Sequence, residues 1–167
     1  MTTPDTALLY PATVLFEASS LSYGRGTDAP FELIGAPWLD GEALASRIGS
    51  LDLPGVAAEA VVFTPDEARA PGASPAFAGQ QIEGVRLVVT DHRRVEPVEL
   101  GLRLLDVVLA EASGVQVIVR PDWLDRLTGS DRLRTHLEAG GQAIHILDEY
   151  RIQSIAFAQA AERYRTY

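Results

Sequence analysis

The sequence predicts an α+β domain, and three observations carry that prediction. Strand-like runs rich in β-branched residues fall in the N-terminal two thirds, amphipathic helical stretches concentrate at the C-terminus, and no regular βαβ alternation connects them. Tyr10–Ser19, rich in Val, Leu, Phe and Thr, reads as a strand. Ser20–Pro30 carries Gly24, Gly26 and Pro30 and must be a loop, with a short strand expected at Phe31–Ile34. Asp40–Ile48 reads as a helix because Leu39, Ala43, Leu44 and Ile48 share a face and Asp40 is a good N-cap. Gly55–Phe63 and Glu83–Thr90 are strand signals, separated by a loop at Thr64–Gln80 that is rich in proline and glycine. Pro97–Ala112 is the clearest amphipathic helix, striped by Leu100, Leu104, Leu105, Val108 and Leu109. Gly114–Val119 reads as a further strand, followed by helices at Trp123–Leu127, Asp131–Ala139 and Gln142–Arg163. No repeat or linker divides residues 1–167, so one domain is expected.

Composition excludes several classes of function. The chain has no cysteine, which removes a disulfide scaffold and leaves no basis for a structural zinc site. Acidic residues outnumber basic ones by 23 to 14, every basic residue is arginine, and the excess sits almost entirely before Pro121. A net charge of −9 repels phosphate backbones, so nucleic acid and anionic membrane surfaces are poor partners. No apolar stretch is long enough to span a bilayer, and Met1–Tyr10 lacks the basic and apolar regions of a signal peptide. No cofactor or metal is expected.

Local motifs discriminate further. Gly24-Arg25-Gly26-Thr27-Asp28-Ala29 has the spacing of a dinucleotide loop, but Pro30 and Phe31 follow where a phosphate-binding helix should open. His92, His136 and His145 are scattered, and a Ser-His-Asp triad is obtained only by choosing freely among serines. His92 follows Asp91 at a strand end, a place that suits a site rim and a plain turn equally well. Trp38 and Trp123 read as packing anchors, and Arg93-Arg94 as a solvated turn. Tyr23, inside the glycine loop, is placed to stack on a ligand. Glu17 lies within the apolar run Val14–Ala18. It either faces solvent by strand alternation or is partly buried and paired with arginine.

The stretch Leu9–Thr27 and its continuation in Pro30-Phe31-Glu32 and Ile34-Gly35-Ala36-Pro37-Trp38 resemble the C-terminal portion of the NamZ-type exo-β-N-acetylmuramidases. The likeness continues through Gly84–Asp91, Pro97, Gly101-Leu102, Leu127–Asp131, Leu137–Gly140 and the closing Tyr164 and Tyr167. The family commonly has Gly, Thr and Asn where this chain has Ala18, Ser19 and Ser20. The resemblance implies a peptidoglycan-sugar hydrolase module that acts on a muramic-acid-containing sugar. It further implies a missing N-terminal, Rossmann-like half as partner, with the cleft between the halves. On that reading the principal catalytic carboxylate lies on the missing half, Glu17 is the catalytic carboxylate of this half or orients Arg25 or a sugar hydroxyl, and Ser20, Tyr23, Arg25, Thr27 and Asp91 bind substrate. Arg25 suits the lactyl carboxylate, which a guanidinium can take in bidentate fashion. The alternative is a non-catalytic carbohydrate-binding or assembly domain.

Overall fold

The computed structural model describes residues 3–70, 72 and 74–164. At its start Pro4–Thr13 is an α-helix (α1), and Val14–Ala18 follows as a 3-10 helix, where composition predicts a strand. Thr3 caps α1 by accepting from the Thr6 amide at 3.0 Å. Pro4 occupies the first turn, where a missing N–H costs nothing, and Asp5 complements the positive helix end. Leu9, Ala12, Leu15 and Phe16 are all buried, at helical rather than alternating spacing. Glu32, buried beyond the glycine loop, ties α1 to the sheet, accepting from Thr6 Oγ1 at 2.6 Å and from Arg86 at 3.0 Å.

The expected loop at 20–30 leads into β1 (Leu33–Ala36), shifted two residues from the anticipated strand. The helix α2 (Gly41–Ser50) follows, capped by Asp40, whose Oδ1 accepts from the Ala43 amide at 2.9 Å. The strands β2 (Val56–Phe63) and β3 (Ile82–Val89) form with β1 a sheet ordered β1-β3-β2, antiparallel throughout. Gly35 pairs with Gly84 and Phe63 with Ile82. β1 is buried at every position, whereas the edge strand β2 alternates between half-buried and exposed residues along much of its length. The connection from β2 to β3 is the anticipated long loop, with one 3-10 turn at Glu67–Arg69.

The helix α3 (Pro97–Glu111) buries Leu100, Leu104, Leu105 and Val108. Gly101 lets α1 approach closely, since a Cβ there would lie 2.9 Å from both Cα and O of Ala12. The expected strand at Gly114–Val119 does not form. A single bridge joins Ile118 to Ser19, and Val119 and Arg120 both donate to the Ala18 carbonyl at 3.0 Å. Pro121 ends the extended segment by opening α4 (Pro121–Thr128), which leaves no room for a ladder.

After α5 (Arg132–Glu138), the long helix expected at Gln142–Arg163 is divided into a 3-10 turn (Ala143–Ile146), α6 (Leu147–Ala161) and a second 3-10 turn (Glu162–Tyr164). Asp106 of α3 accepts from the Ala143 and Ile144 amides and so fixes where that chain segment turns. Beyond Tyr150, residues 151–160 of α6 are exposed around the whole helix, with Arg151 still reaching Glu99 of α3 at 3.0 Å. Tyr167, quoted in the family resemblance, lies outside the described residues. Among the described residues no helix is long and apolar enough to cross a membrane.

Candidate functional site

Glu17 projects from the 3-10 turn that ends α1, so strand alternation does not govern its side chain. Ser19 locks the exit from that turn: its hydroxyl donates to the Phe16 carbonyl at 2.7 Å and accepts from the Leu21 amide at 3.2 Å. The glycine loop then folds back toward Glu17. Gly24 and Gly26 have φ of +78° and +86°, and a Cβ at Gly24 would meet the Ala29 carbonyl oxygen at 2.6 Å. No helix opens after Ala29, which disposes of the dinucleotide reading.

Of the two alternatives open for Glu17, the paired one is found. Arg25 donates through Nη2 to Glu17 Oε1 at 3.2 Å, and the indole N–H of Trp123 donates to Oε2 at 3.2 Å. The Glu17 side chain is only 15% exposed, whereas that of Arg25 is 38% exposed and open to a ligand. Arg25 is further fixed by Nε donating to the Tyr23 hydroxyl at 3.2 Å, with its guanidinium 5.5 Å and 5.6 Å from the Tyr23 and Phe31 ring centroids. Burial, the largest single influence on Arg25, pulls its pKa down; the hydrogen bonds and charges of Tyr23 and Glu17 outweigh it, and the net shift is upward. Arg25 is therefore a permanent cation. Phe31, which supports it, has φ of +67°, a strained conformation for a bulky residue.

Trp123, expected as a packing anchor, also closes this site. Its ring is flanked by Arg120 and Arg126, whose guanidinium carbons lie 5.0 Å and 5.9 Å from the centroid. A chain with net charge −9 thus gathers Arg25 at this carboxylate, and Arg120 and Arg126 at the indole that donates to it. Nothing near Trp123 in the sequence points to this role, because Glu17 lies 106 residues away.

The other anticipated residues divide. Ser20 is adjacent, its amide donating to Val117 O at 2.8 Å and its hydroxyl to Gln116 O at 2.9 Å. Tyr23 is in the cluster, with Arg25 against one side of its ring. Thr27 shapes the loop: its hydroxyl donates to Gly24 O at 2.7 Å and accepts from the Ala29 amide at 3.1 Å. Asp91 is exposed after β3 and accepts from the Arg93 amide at 3.0 Å; none of its contacts reaches Glu17. His92 bonds Asp5 at 2.6 Å, and His136 and His145 stack edge to face. Among the described residues no group of three metal-ligating side chains converges.

A second concavity borders the same loop. Residues of the glycine loop and of the 64–80 loop line an open cleft of about 490 Å³. The two loops are pressed together, with the Asp66 amide donating to Gly26 O at 2.8 Å.

Comparison with known proteins adds the lineage. The peptidoglycan β-N-acetylmuramidase NamZ of Bacillus subtilis strain 168 is 33% identical over 167 residues, which is all of this chain and 39% of that protein. Two crystal structures of DUF1343 family proteins from Bacteroides fragilis share the fold. One has a TM-score of 0.84 at 21% identity, covering 98% of this chain and 42% of its own. The other has a TM-score of 0.60 at 23% identity, covering 98% and 41%. The chain therefore spans about two fifths of the length of these relatives. The family described as exo-β-N-acetylmuramidase NamZ, C-terminal, matches residues 8–167, and the chain belongs to it.

Proposed function

We propose that this chain is the C-terminal module of a glycoside hydrolase that removes terminal β-N-acetylmuramic acid from peptidoglycan fragments, and that it is incomplete alone. The observation that carries the reading is the Glu17–Arg25–Trp123 cluster. It offers one carboxylate held beside a cation, with part of that cation still open to a ligand. Glycoside hydrolysis generally uses two carboxyl groups flanking the scissile bond. Among the described residues no second carboxylate contacts Glu17, so the partner group is assigned to a preceding half such as the longer relatives have room for.

In this reading Arg25 takes the lactyl carboxylate through donors not committed to Glu17 or Tyr23. Glu17 orients Arg25 and is the carboxylate this half brings to the bond. Ser20 and Tyr23 line the sugar, Thr27 acts by holding the loop, and Asp91 serves at most at a rim. The engagement of both Glu17 oxygens also favours the second reading, a module that binds the sugar and leaves chemistry to its partner.

The test is titration of the folded chain with N-acetylmuramic acid, beside release of chromophore from an aryl β-N-acetylmuraminide. Binding that is lost in Arg25→Met, with no turnover by the chain alone, is the expected result. Turnover abolished in Glu17→Gln would place a complete site here. Absence of sugar binding by the folded wild type would overturn the proposal.

A further inference from the structure

The cleft beside the glycine loop has a composition suited to sugars. Phe63 and Leu33 supply apolar lining, while Asp28, Thr64 and Arg69 supply polar groups. Phe63 is held in place by a gap in β1: a Cβ on Gly35 would lie 2.7 Å from its ring, so the ring occupies space that only glycine leaves. Apolar linings with a few polar groups are the usual construction of a ligand cleft, and about 490 Å³ lies within the usual size range.

Two charges in the cleft are uncommitted. Among the described residues, the Arg69 guanidinium has no carboxylate partner, although seven other arginines of this chain are paired to acids. Asp28 likewise has no side-chain partner among them, whereas Asp66 is occupied in capping the Ala68 amide at 2.9 Å. A free carboxylate accepts from sugar hydroxyls, and a free guanidinium seeks an anion.

Position links the cleft to the Glu17 site. Arg25 belongs to that site and the next two residues, Gly26 and Thr27, line the cleft, so the two are a residue apart on one loop. The loop cannot slide, because a Cβ at Gly26 would meet Asp66 O and Pro75 Cγ at 2.9 Å. The glycan of peptidoglycan alternates N-acetylmuramic acid with N-acetylglucosamine. If the terminal muramic acid lies on Arg25, the next sugar is neutral and the one after it carries a lactyl group, which is a free carboxylate where no stem peptide is attached.

We infer that the cleft between the glycine loop and the 64–80 loop is a subsite for the continuing glycan chain, with Phe63 under the second sugar and Arg69 taking the carboxylate of the third. This rests on the proposed sugar-binding role of Glu17 and Arg25. It makes the module a reader of chain length as well as of the terminal sugar.

The experiment compares affinities of wild type, Arg69→Gln and Arg25→Met for three probes by calorimetry. The probes are N-acetylmuramic acid, the β-1,4 disaccharide that it forms with N-acetylglucosamine, and the trisaccharide ending in a second N-acetylmuramic acid with a free lactyl group. Wild type should bind the trisaccharide about tenfold more tightly than the disaccharide, as one charge-assisted pair provides. Arg69→Gln should erase that step alone, and Arg25→Met should weaken all three probes together. Arg69 is exposed, so its substitution leaves the fold intact. A trisaccharide step that is absent in wild type, or that persists in Arg69→Gln, overturns the inference while leaving the first site standing. Arg69-dependent trisaccharide binding with no loss in Arg25→Met supports the cleft and overturns the reading of the first site. No binding of any probe overturns both.

Discussion

Replacing Trp123 with Phe tests whether the C-terminal helices close the Glu17 site. The substitution removes the indole N–H that donates to Glu17 Oε2 at 3.2 Å and trims a half-buried ring. A hydrogen bond to a partly exposed charged acceptor contributes about 1–1.5 kcal/mol. The lost ring area adds about 0.5–1 kcal/mol at roughly 25 cal/mol per Å². The total, about 2 kcal/mol, lowers the urea midpoint by about 1 M at an m-value of roughly 2 kcal/mol/M.

The area term is the same whatever residue stands at 17, so a double-mutant cycle with Glu17→Gln isolates the part of the hydrogen bond that the charge supplies. The glutamine oxygen still accepts but carries no charge, and Trp123→Phe should then cost about 0.5–1 kcal/mol less. Glu17→Gln alone should cost about 1–1.5 kcal/mol, the loss from the Trp123 hydrogen bond plus about 0.5 kcal/mol for the pair with Arg25, which solvent screens because that side chain is 38% exposed. A coupling within about 0.3 kcal/mol of zero would refute the reasoning. It would mean that the Trp123 indole does not sense the Glu17 charge in solution, as it must if the site is assembled across the chain.

Three further outcomes follow from the packing. Gly84→Ala places a Cβ 2.0 Å from the Ile34 carbonyl oxygen in the central strand, so β1 must separate from β3. Loss of more than about 3 kcal/mol in urea unfolding is expected, with reduced strand signal in circular dichroism. Thr6→Val withdraws the 2.6 Å donor from buried Glu32 and should cost about 1.5–3 kcal/mol; a midpoint equal to wild type would show that Arg86 and the Thr3 hydroxyl satisfy that carboxylate without it. Phe157→Glu, on a side chain that is 74% exposed, should change stability by less than about 0.5 kcal/mol. Amides of residues 151–160 should exchange faster than those of α3, and slow exchange there would mean that the exposed stretch is covered in solution.

Sequence patterning was most legible where a segment's own residues determine its environment. The strands at 56–63 and 82–89, the helix from Pro97 and the Asp40 cap lie within a residue or two of expectation, because strong periodicity and capping chemistry are local. The run Tyr10–Ser19 misled because a short apolar stretch with valine, phenylalanine and threonine fits a strand and a buried helix alike. The decisive signal lay just upstream, in Thr3-Pro4-Asp5, which is an N-cap, a first-turn proline and an acidic first turn.

The candidate site divides along the same line. By itself the sequence determined the α+β class, the glycine loop carrying Tyr23 and Arg25, the oddity of a carboxylate at Glu17, and the family likeness now supported across residues 8–167. Only the tertiary structure decided that Glu17 sits on a 3-10 turn between Arg25 and Trp123, that Arg120 and Arg126 flank that indole, and that Arg69 lines a cleft beside the same loop. The physical reason is that spacing governs contacts only within one turn or one hairpin. Partners 106 residues apart are chosen by how helices and loops pack, and each such choice depends on all the others at once.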